Sequence, residues 1–271
     1  MPFKLFSQVF GLLILLSSCK ESKKNFVRGE YIVRQQNEYF FTPPAPLSQC
    51  RDKYPWEKRY TSSHLPHITK EFFRCKGNNL NPVVVLKKEG REPRYFRDCP
   101  GGRRHGLSMR EGKEFVYPCL LELLNYIQEK TEKKVVITSG HRCPQHNSYV
   151  DPLPANWGSK HMLGAEVDFY VEGLEEAPDK VVELIQQYYK ERAPFKGQAE
   201  YEKFARYDKS QLLVAPYYNK EIFVKIQSRG EGANFDNRHG FPYVTLQVRY
   251  DRDLNQRVVF EQKQAENYLR Y

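Results

Sequence analysis

Residues 135–147 read VVITSGHRCPQHN, residues 159–168 read SKHMLGAEVD, and these two stretches decide the fold and the chemistry that the sequence predicts. The run 135–138 is apolar and β-branched, which predicts a buried strand that ends at a polar loop. In the second stretch, Glu166 and Asp168 alternate with apolar residues, as expected where a loop enters a strand with one polar face. Both strands therefore deliver polar side chains to loops, where functional sites commonly gather.

The residues on either side of these stretches complete the pattern of a mixed domain. Pro118 and Pro178 each stand at the first turn of a segment whose apolar residues recur with the helical period. Further strands are predicted over residues 165–171, 222–227, 243–250 and 257–261. Two helices with an antiparallel sheet predict an α+β domain over residues 103–262, followed by a short C-terminal tail, 263–271.

The beginning of the chain resembles a bacterial lipoprotein signal. A basic n-region precedes an apolar run, 9–16, that is too short to cross a bilayer of about 30 Å. This run leads into Ser17-Ser18-Cys19, which resembles the lipobox in which the cysteine thiol receives a diacylglyceryl group. Residues 1–18 are therefore predicted to be a signal peptide, and Cys19 the lipidated first residue of a membrane-anchored protein.

This predicted location limits the partners. A protein anchored by its lipid in the bacterial cell envelope lies outside the cytoplasm, so nucleic acid is not an expected partner. The chain of 271 residues carries a formal net charge of +10. Lipid head groups and cell-wall polymers are the anionic surfaces that such a charge suits outside the cytoplasm.

Residues 19–102 are predicted to form a tether and an irregular N-terminal region. This region is rich in aromatic residues and prolines, and only residues 82–86 predict a strand within it. We expect the region to pack on the main domain rather than to fold alone. The turn-rich basic segment 99–104 marks the boundary between the two.

The cysteines other than Cys19 number five, so at most two disulfides can form and one thiol is left over. Cys143 and His146 have the short spacing of half a zinc site. The sequence shows no matching second half, so a structural zinc is not expected at this pair.

His161 and Asp168 are the candidate metal ligands. A fully extended chain would separate them by roughly 23 Å, so a turn must intervene, and Gly164 permits one. An imidazole and a carboxylate that converge in this way suit zinc, which accepts both types of ligand.

Together the two motifs resemble the zinc D-Ala-D-Ala carboxypeptidases and dipeptidases, which share the Hedgehog/DD-peptidase fold and cut peptidoglycan stem peptides. The family's motifs are matched at Ser139, Gly140, Arg142 and Asn147, and at Ser159, His161, Gly164 and Asp168. The resemblance implies one zinc ion bound by His161 and Asp168. It also implies that Arg142 pairs with the carboxylate of the substrate and that Ser159 lies near the substrate.

The resemblance further implies a third ligand, a histidine on a later strand, with an acidic general base three positions before it. His239 and Asp236 have this spacing, so they are the candidate third ligand and base. The best alignment of the last core strand instead puts Thr245, which is not a zinc ligand, at the histidine position. Glu166 stands where family members usually carry a small residue, and it is either a stray charge or a replacement ligand.

Two functions follow from these alternatives. The first is a lipid-anchored zinc peptidase, of carboxypeptidase or dipeptidase type, that cuts D-amino-acid peptide bonds of peptidoglycan. The second is a non-catalytic lipoprotein of the same fold that binds peptidoglycan stem peptides through Arg142. The positions of Thr245 and His239 relative to His161 and Asp168 separate the two.

Overall fold

The structure is a computed structural model that describes residues 26–29, 33–34, 65–101, 105–153, 158–207, 216–231, 235 and 238–268. The predicted signal peptide, Cys19 and Asp236 lie outside the described residues. Of the helices within these ranges, none is long and apolar enough to span a membrane.

The described elements mix helices and short strands. The strands are β1 (Phe26–Arg28), β2 (Val33–Arg34), β3 (Val84–Lys87), β4 (Arg94–Phe96), β5 (Met109–Arg110), β6 (Lys113–Glu114), β7 (Val135–Ser139), β8 (Glu166–Val171), β9 (Ala205–Arg206), β10 (Tyr217–Tyr218), β11 (Ile222–Gln227), β12 (Arg238–His239), β13 (Tyr243–Val248), β14 (Tyr250–Asp251) and β15 (Gln256–Arg257). The α-helices are α1 (Pro118–Thr131), α2 (Pro144–Val150), α3 (Pro178–Glu191), α4 (Ala199–Glu202) and α5 (Gln262–Glu266), and 3₁₀-helices cover Lys70–Phe73 and Lys160–Leu163.

A six-stranded sheet organises the domain, with the strand order β7-β8-β13-β11-β10-β9. Every neighbouring pair in this sheet runs antiparallel. The four longer strands fall where the sequence predicts strands, so the prediction that they share one sheet is confirmed. The predicted α+β class is confirmed with it.

The two faces of the sheet have different roles. α1 and α3 pack on one face, against apolar side chains of the central strands such as Val167, Phe169 and Leu246. Because successive side chains of a strand point to opposite faces, Asp168 and Thr245 lie on the other face, where they are directly paired across β8 and β13. Helix α1 begins at Pro118 and α3 at Pro178, as predicted.

The predicted strand over residues 257–261 is wrong. β15 ends at Arg257 because its partner β14 is only two residues long. Val258 then enters the core, with its amide donating to the Arg249 carbonyl oxygen at 2.9 Å, whereas Val259 is 67% exposed. Beyond it, Ala265 of α5 is buried, and α5 contacts the 3₁₀-helix Lys160–Leu163.

Residues 65–101 pack directly on this domain. Ile68 and Phe73 belong to the same apolar core as α1. The Asn125 side chain of α1 accepts a hydrogen bond from the Ile68 amide and donates one to the Ile68 carbonyl, both at 2.8 Å. A buried ion pair of 2.9 Å between Arg74 and Glu114 adds a third link.

Candidate functional site

Two turns bring the sequence motifs together. β7 ends at Ser139, and the chain passes through Gly140 into the loop before α2. Ser159 caps the second 3₁₀-helix by accepting a hydrogen bond from the His161 amide at 3.3 Å. Gly164 ends that helix with a φ of 67°, a left-handed conformation that glycine adopts without steric cost and that reverses the chain into β8.

The turn at Gly164 places His161 beside Asp168. His161 Nε2 lies 3.5 Å from Asp168 Oδ2, and both side chains are buried. On the far side of the ring, His161 Nδ1 lies 2.7 Å from the carbonyl oxygen of Gly140. A carbonyl only accepts hydrogen bonds, so the neutral ring carries its proton on Nδ1 and presents the Nε2 lone pair to the site. The prediction that these two side chains lie side by side is confirmed.

Three side chains surround the carboxylate of Asp168. Thr245 Oγ1 donates to Oδ1 at 2.6 Å, and Arg142 Nη2 donates to Oδ2 at 3.2 Å. Burial opposes ionisation, but the interactions with His161 and Arg142 and the hydrogen bond from Thr245 outweigh it and hold the pKa of Asp168 below its ordinary value. Asp168 is therefore a carboxylate at neutral pH.

Arg142 is held from two sides. Its Nε donates to Ser139 Oγ at 2.8 Å, in addition to the contact with Asp168. Its backbone amide donates to the His161 carbonyl at 3.3 Å, which ties the loop after β7 to the 3₁₀-helix. The guanidinium is thus fixed within the site rather than extended into solvent.

A pocket of about 280 Å³ opens beside these side chains. Its described wall consists of Arg142, Asn147, Asp151, Gly158, Ser159, His161, Glu166, Asp168, Gln227 and Thr245. Polar groups dominate this wall, with carboxylates and a guanidinium facing one another. Such a lining suits a small charged ligand better than an apolar one.

His239 lies in a different environment. It belongs to β12, which pairs with β2. Its ring packs against Tyr170 and Tyr243, with centroids 6.5 and 4.6 Å away. Tyr170 stands two positions after Asp168 on β8, and Tyr243 stands two positions before Thr245 on the antiparallel strand β13. They therefore occupy the next row of the same sheet face, and His239 lies against that row.

The structure thus does not bring the predicted third ligand to the other two. Within the described ranges, His239 belongs to no group of three potential ligands whose donor atoms lie within 4.8 Å of one another. The described pocket wall does not include it either. The physical reason is the aromatic row, which offers the imidazole a packing site away from the pocket. Asp236, the predicted base, cannot be placed because it lies outside the described residues.

The donors beside His161 Nε2 are instead two carboxylates. Glu166 Oε1 lies 3.8 Å away and Asp168 Oδ2 3.5 Å away. Two donors of a tetrahedral zinc with bonds of about 2.1 Å are about 3.4 Å apart, so His161 and Asp168 fit a zinc ion. Glu166 fits less closely, because the potential ligand atoms of Glu166, His161 and Asp168 do not all lie within 4.8 Å of one another. Thr245 contributes only a hydroxyl at the predicted histidine position.

The sequence analysis missed a second group of side chains. The thiol of Cys143 lies within 4.8 Å of the potential ligand atoms of three other buried residues, Cys75, Cys99 and His105. The expectation that Cys143 has no matching second half is therefore wrong. His146, the other residue of that short spacing, pairs with Asp98 at 2.6 Å. The signal in the sequence was the glycine two positions after each of Cys75 and Cys99, since the Cys-x-Gly pattern allows a tight turn around a sulfur.

Gly140 couples the pocket to the N-terminal segment, and this contact is testable. A Cβ at Gly140 would lie 2.6 Å from Phe73 Cα and 2.7 Å from Phe73 O, which are backbone atoms that cannot rotate away. We expect Gly140→Ala to lower the free energy of unfolding in urea by about 1–3 kcal/mol. A Cβ at Gly240 would meet nothing within 4 Å, so Gly240→Ala is the control and should change stability by less than about 0.5 kcal/mol. Equal stabilities of the two variants would contradict this close approach.

Comparison with known proteins agrees with the motifs. Residues 102–205 match the family model of peptidase M15. No curated protein and no solved structure matches the chain. The matched residues include both motifs of the pocket and end before β11 and β13, so the strand that carries Thr245 lies outside the match. Residues 102–205 are therefore similar to peptidase M15, in agreement with the resemblance of the two motifs to metallopeptidases of the zinc D-Ala-D-Ala carboxypeptidase type.

Proposed function

We propose that this protein is a zinc peptidase of the bacterial cell envelope that hydrolyses D-amino-acid peptide bonds of peptidoglycan stem peptides. The peptidase M15 match supports a metallopeptidase for substrates of this type. The proposal includes a Hedgehog/DD-peptidase-like domain, which is supported by helices on one face of an antiparallel sheet and a pocket on the other. It also includes a lipid anchor on Cys19, which rests on the signal-like sequence of residues 1–18.

The contact between His161 Nε2 and Asp168 Oδ2 carries the proposal. The imidazole is oriented by the Gly140 carbonyl, and the carboxylate is ionised. Both groups lie in the wall of a pocket that the end of a peptide can enter. A catalytic zinc site has three protein ligands at an open pocket, with one position left for the substrate, and these two oriented groups supply two of the three.

His161 and Asp168 would hold the zinc ion, and Glu166 would serve as the third protein donor in place of a histidine. When bound there, zinc supplies a Lewis acid that polarises a peptide carbonyl and activates water. The Glu166 side chain is 15% exposed, against 3% for Asp168, so it has more room to adjust toward the ion. Its distance of 3.8 Å from His161 Nε2 is short enough for a small rotation to suffice.

Arg142 would bind the terminal carboxylate of the stem peptide. Ser139 and Asp168 fix the plane of its guanidinium, so the remaining N–H groups can meet a carboxylate in a defined geometry. Ser159 also lines the pocket and offers a hydroxyl to the substrate. Recognition of a chain end favours carboxypeptidase or dipeptidase action over cleavage within a long peptide.

Two features favour a second candidate, a non-catalytic lipoprotein that binds peptidoglycan peptides in the same pocket. Thr245 and Arg142 already satisfy both oxygens of Asp168, so this buried carboxylate needs no metal ion to be stable. His239 lies among aromatic rings rather than beside the other two predicted ligands. In this candidate Arg142 holds the peptide carboxylate and no bond is cut.

Zinc analysis and hydrolysis of a peptide that ends in D-Ala-D-Ala separate the two candidates. For a peptidase we expect the wild-type protein to release D-alanine. We expect His161→Ala to lose more than the roughly 10–100-fold in activity that removal of an outer-shell partner costs. Glu166→Gln should lose pocket zinc and hydrolysis together, because a neutral amide is a weaker ligand than a carboxylate. His239→Ala should retain both.

Glu172→Gln is the matched control for Glu166→Gln. Glu172 follows β8 directly and pairs with Lys134 at the surface, at 3.1 Å, so its replacement should leave zinc content and hydrolysis unchanged. Wild-type protein that binds the peptide without cutting it, and loses this binding in Arg142→Ala, would establish the binding protein instead. Protein that neither binds nor cuts the peptide would rule out both candidates.

A further inference from the structure

Away from the peptidase pocket, four buried side chains form what we call the cysteine cluster: Cys75, Cys99, His105 and Cys143. One ligand atom from each lies within 4.8 Å of the ligand atoms of the other three. None of the four residues is more than 5% exposed. Three thiols and an imidazole thus face one another in a space from which water is largely excluded.

The distances within the cluster are those of metal ligands. The sulfurs of Cys75 and Cys99 are 3.7 Å apart, and Cys99 Sγ lies 3.6 Å from His105 Nδ1. A disulfide would bring two sulfurs to about 2.05 Å. Around a tetrahedral zinc, with bonds of about 2.3 Å to sulfur and about 2.1 Å to nitrogen, two sulfurs are about 3.8 Å apart and a sulfur and a nitrogen about 3.6 Å. Both observed distances match edges of that tetrahedron.

We propose that the cysteine cluster binds a structural zinc ion. Three thiolates and a neutral imidazole are a ligand set that zinc favours, and four protein ligands leave no position open for a substrate. This ion is additional to the one predicted for the pocket. The proposal does not depend on peptidase activity, because it uses none of the pocket residues.

Two glycines let the surrounding loops close on the sulfurs. A Cβ at Gly77 would lie 2.1 Å from Cys99 Sγ. A Cβ at Gly101, whose φ is +62°, would lie 2.0 Å from the carbonyl oxygen of Gly77. The chain therefore makes a Cys-x-Gly turn after Cys75 and another after Cys99, and the two turns pack against each other. A side chain at either glycine would force them apart.

A shell of hydrogen bonds orients the ligands. Cys143 Sγ accepts a hydrogen bond from the His146 amide at 3.3 Å, a contact that stabilises the thiolate form. Asp98 accepts from the Cys99 amide at 2.7 Å and pairs with His146 Nδ1 at 2.6 Å. Asp98, Cys99 and His146 also lie close enough to share an ion. Asp98 and His146 are already bonded to each other, and Asp98 also accepts from backbone amides, so we assign both residues to support of the ligands.

The position of the cluster gives the ion a structural role. Cys75 comes from the N-terminal segment, and Cys143 directly follows Arg142 in the wall of the pocket. The His141 amide donates to the Phe73 carbonyl at 2.6 Å, so the two stretches already run side by side. Zinc at the cluster would cross-link them, and its binding free energy would add to the free energy of folding.

Metal analysis of the full chain, purified without chelator or reductant, tests the proposal. We expect one equivalent of zinc at the cluster, in addition to the ion proposed for the pocket, and this equivalent should persist in His161→Ala and be lost in Cys99→Ala. Cys119→Ala is the matched control, because Cys119 is also a buried free cysteine but lies in α1 outside the cluster. This variant should keep the zinc. Replacement of zinc by cobalt should produce intense thiolate-to-cobalt charge-transfer absorption in the wild type, in Cys119→Ala and in His161→Ala.

The cobalt spectrum decides the question even if Cys99→Ala fails to fold. The described wall of the pocket contains no cysteine, and among the described residues the cysteine cluster is the group that brings thiols together as potential metal ligands, so thiolate charge transfer reports on the cluster. His105→Cys, which keeps four ligands, should retain the metal and strengthen this absorption. A wild-type protein without charge-transfer bands would overturn the proposal, as would zinc retained in a folded variant that carries both Cys99→Ala and His161→Ala. A metal-free wild-type protein in which Cys75 and Cys99 form a disulfide would also overturn the proposal.

Discussion

Replacing Asp168 with alanine is expected to lower the free energy of unfolding by about 3–5 kcal/mol. The reason is the guanidinium of Arg142, whose side chain is 5% exposed and whose charged partner is Asp168 at 3.2 Å. Among the described residues, the guanidinium then keeps the hydrogen bond to the neutral hydroxyl of Ser139. An uncompensated charge in a buried position costs far more than the loss of an exposed ion pair. Denaturation in urea, followed by circular dichroism, measures the loss.

A double-mutant cycle separates this mechanism from loss of a bound metal. If the unpaired guanidinium causes the instability, Arg142→Ala combined with Asp168→Ala should be more stable than the sum of the single losses predicts, by about 0.5–3 kcal/mol. Loss of zinc would not be relieved by removal of Arg142. Additive effects of the two substitutions would therefore contradict the ion-pair explanation.

Glu166→Ala is the control on the same strand. Glu166 stands two positions before Asp168 on the same face, but its side chain is 15% exposed and its contact with His161 is 3.8 Å long. We expect this substitution to cost less than about 1 kcal/mol. If Asp168→Ala costs much more than Glu166→Ala, the loss of unfolding free energy depends on how deeply the carboxylate is buried. A position on this face of the strand is then not sufficient.

The parts of the fold that could be predicted are those that depend on local periodicity. The alternation around Asp168 placed it on the polar face of β8, and the same alternation placed Thr245 on that face of β13, where the two are now paired. The turn at Gly164 followed from the need to bring His161 back to Asp168. Each of these predictions needed only residues that lie near one another in the sequence.

The parts that could not be predicted depend on contacts between distant segments. Nothing within a few residues of His239 shows that its ring packs against Tyr170 and Tyr243 instead of reaching the pocket. The strand predicted over residues 257–261 failed for a similar reason, because Val258 is taken into a core built by other elements. The cysteine cluster joins four ligands from three regions of the chain, so the spacing around Cys143 could not reveal it.

Replacing Glu114 with alanine is expected to have a comparably large effect, about 3–5 kcal/mol in the free energy of unfolding. The Glu114 side chain is fully buried and receives the Arg74 guanidinium at 2.9 and 3.1 Å. It also accepts a hydrogen bond from the Leu107 amide at 3.1 Å. The substitution therefore removes, at once, a charged partner of the buried Arg74 guanidinium and an acceptor of the Leu107 amide. Urea denaturation of the variant measures the sum of the two.

Glu71→Ala is the matched control, because Glu71 contacts the same guanidinium at 2.6 and 2.9 Å. Glu71 is 19% exposed and lies three positions before Arg74, so water can replace it and the expected loss is below about 1 kcal/mol. Arg74 directly precedes Cys75, and Leu107 lies two positions after His105. Glu114→Ala should therefore also weaken cobalt binding at the cysteine cluster, whereas Glu71→Ala should not. Equal losses of stability in the two variants would show that the buried contact with Glu114 does not hold Arg74 and the N-terminal segment more strongly than the contact with Glu71 does.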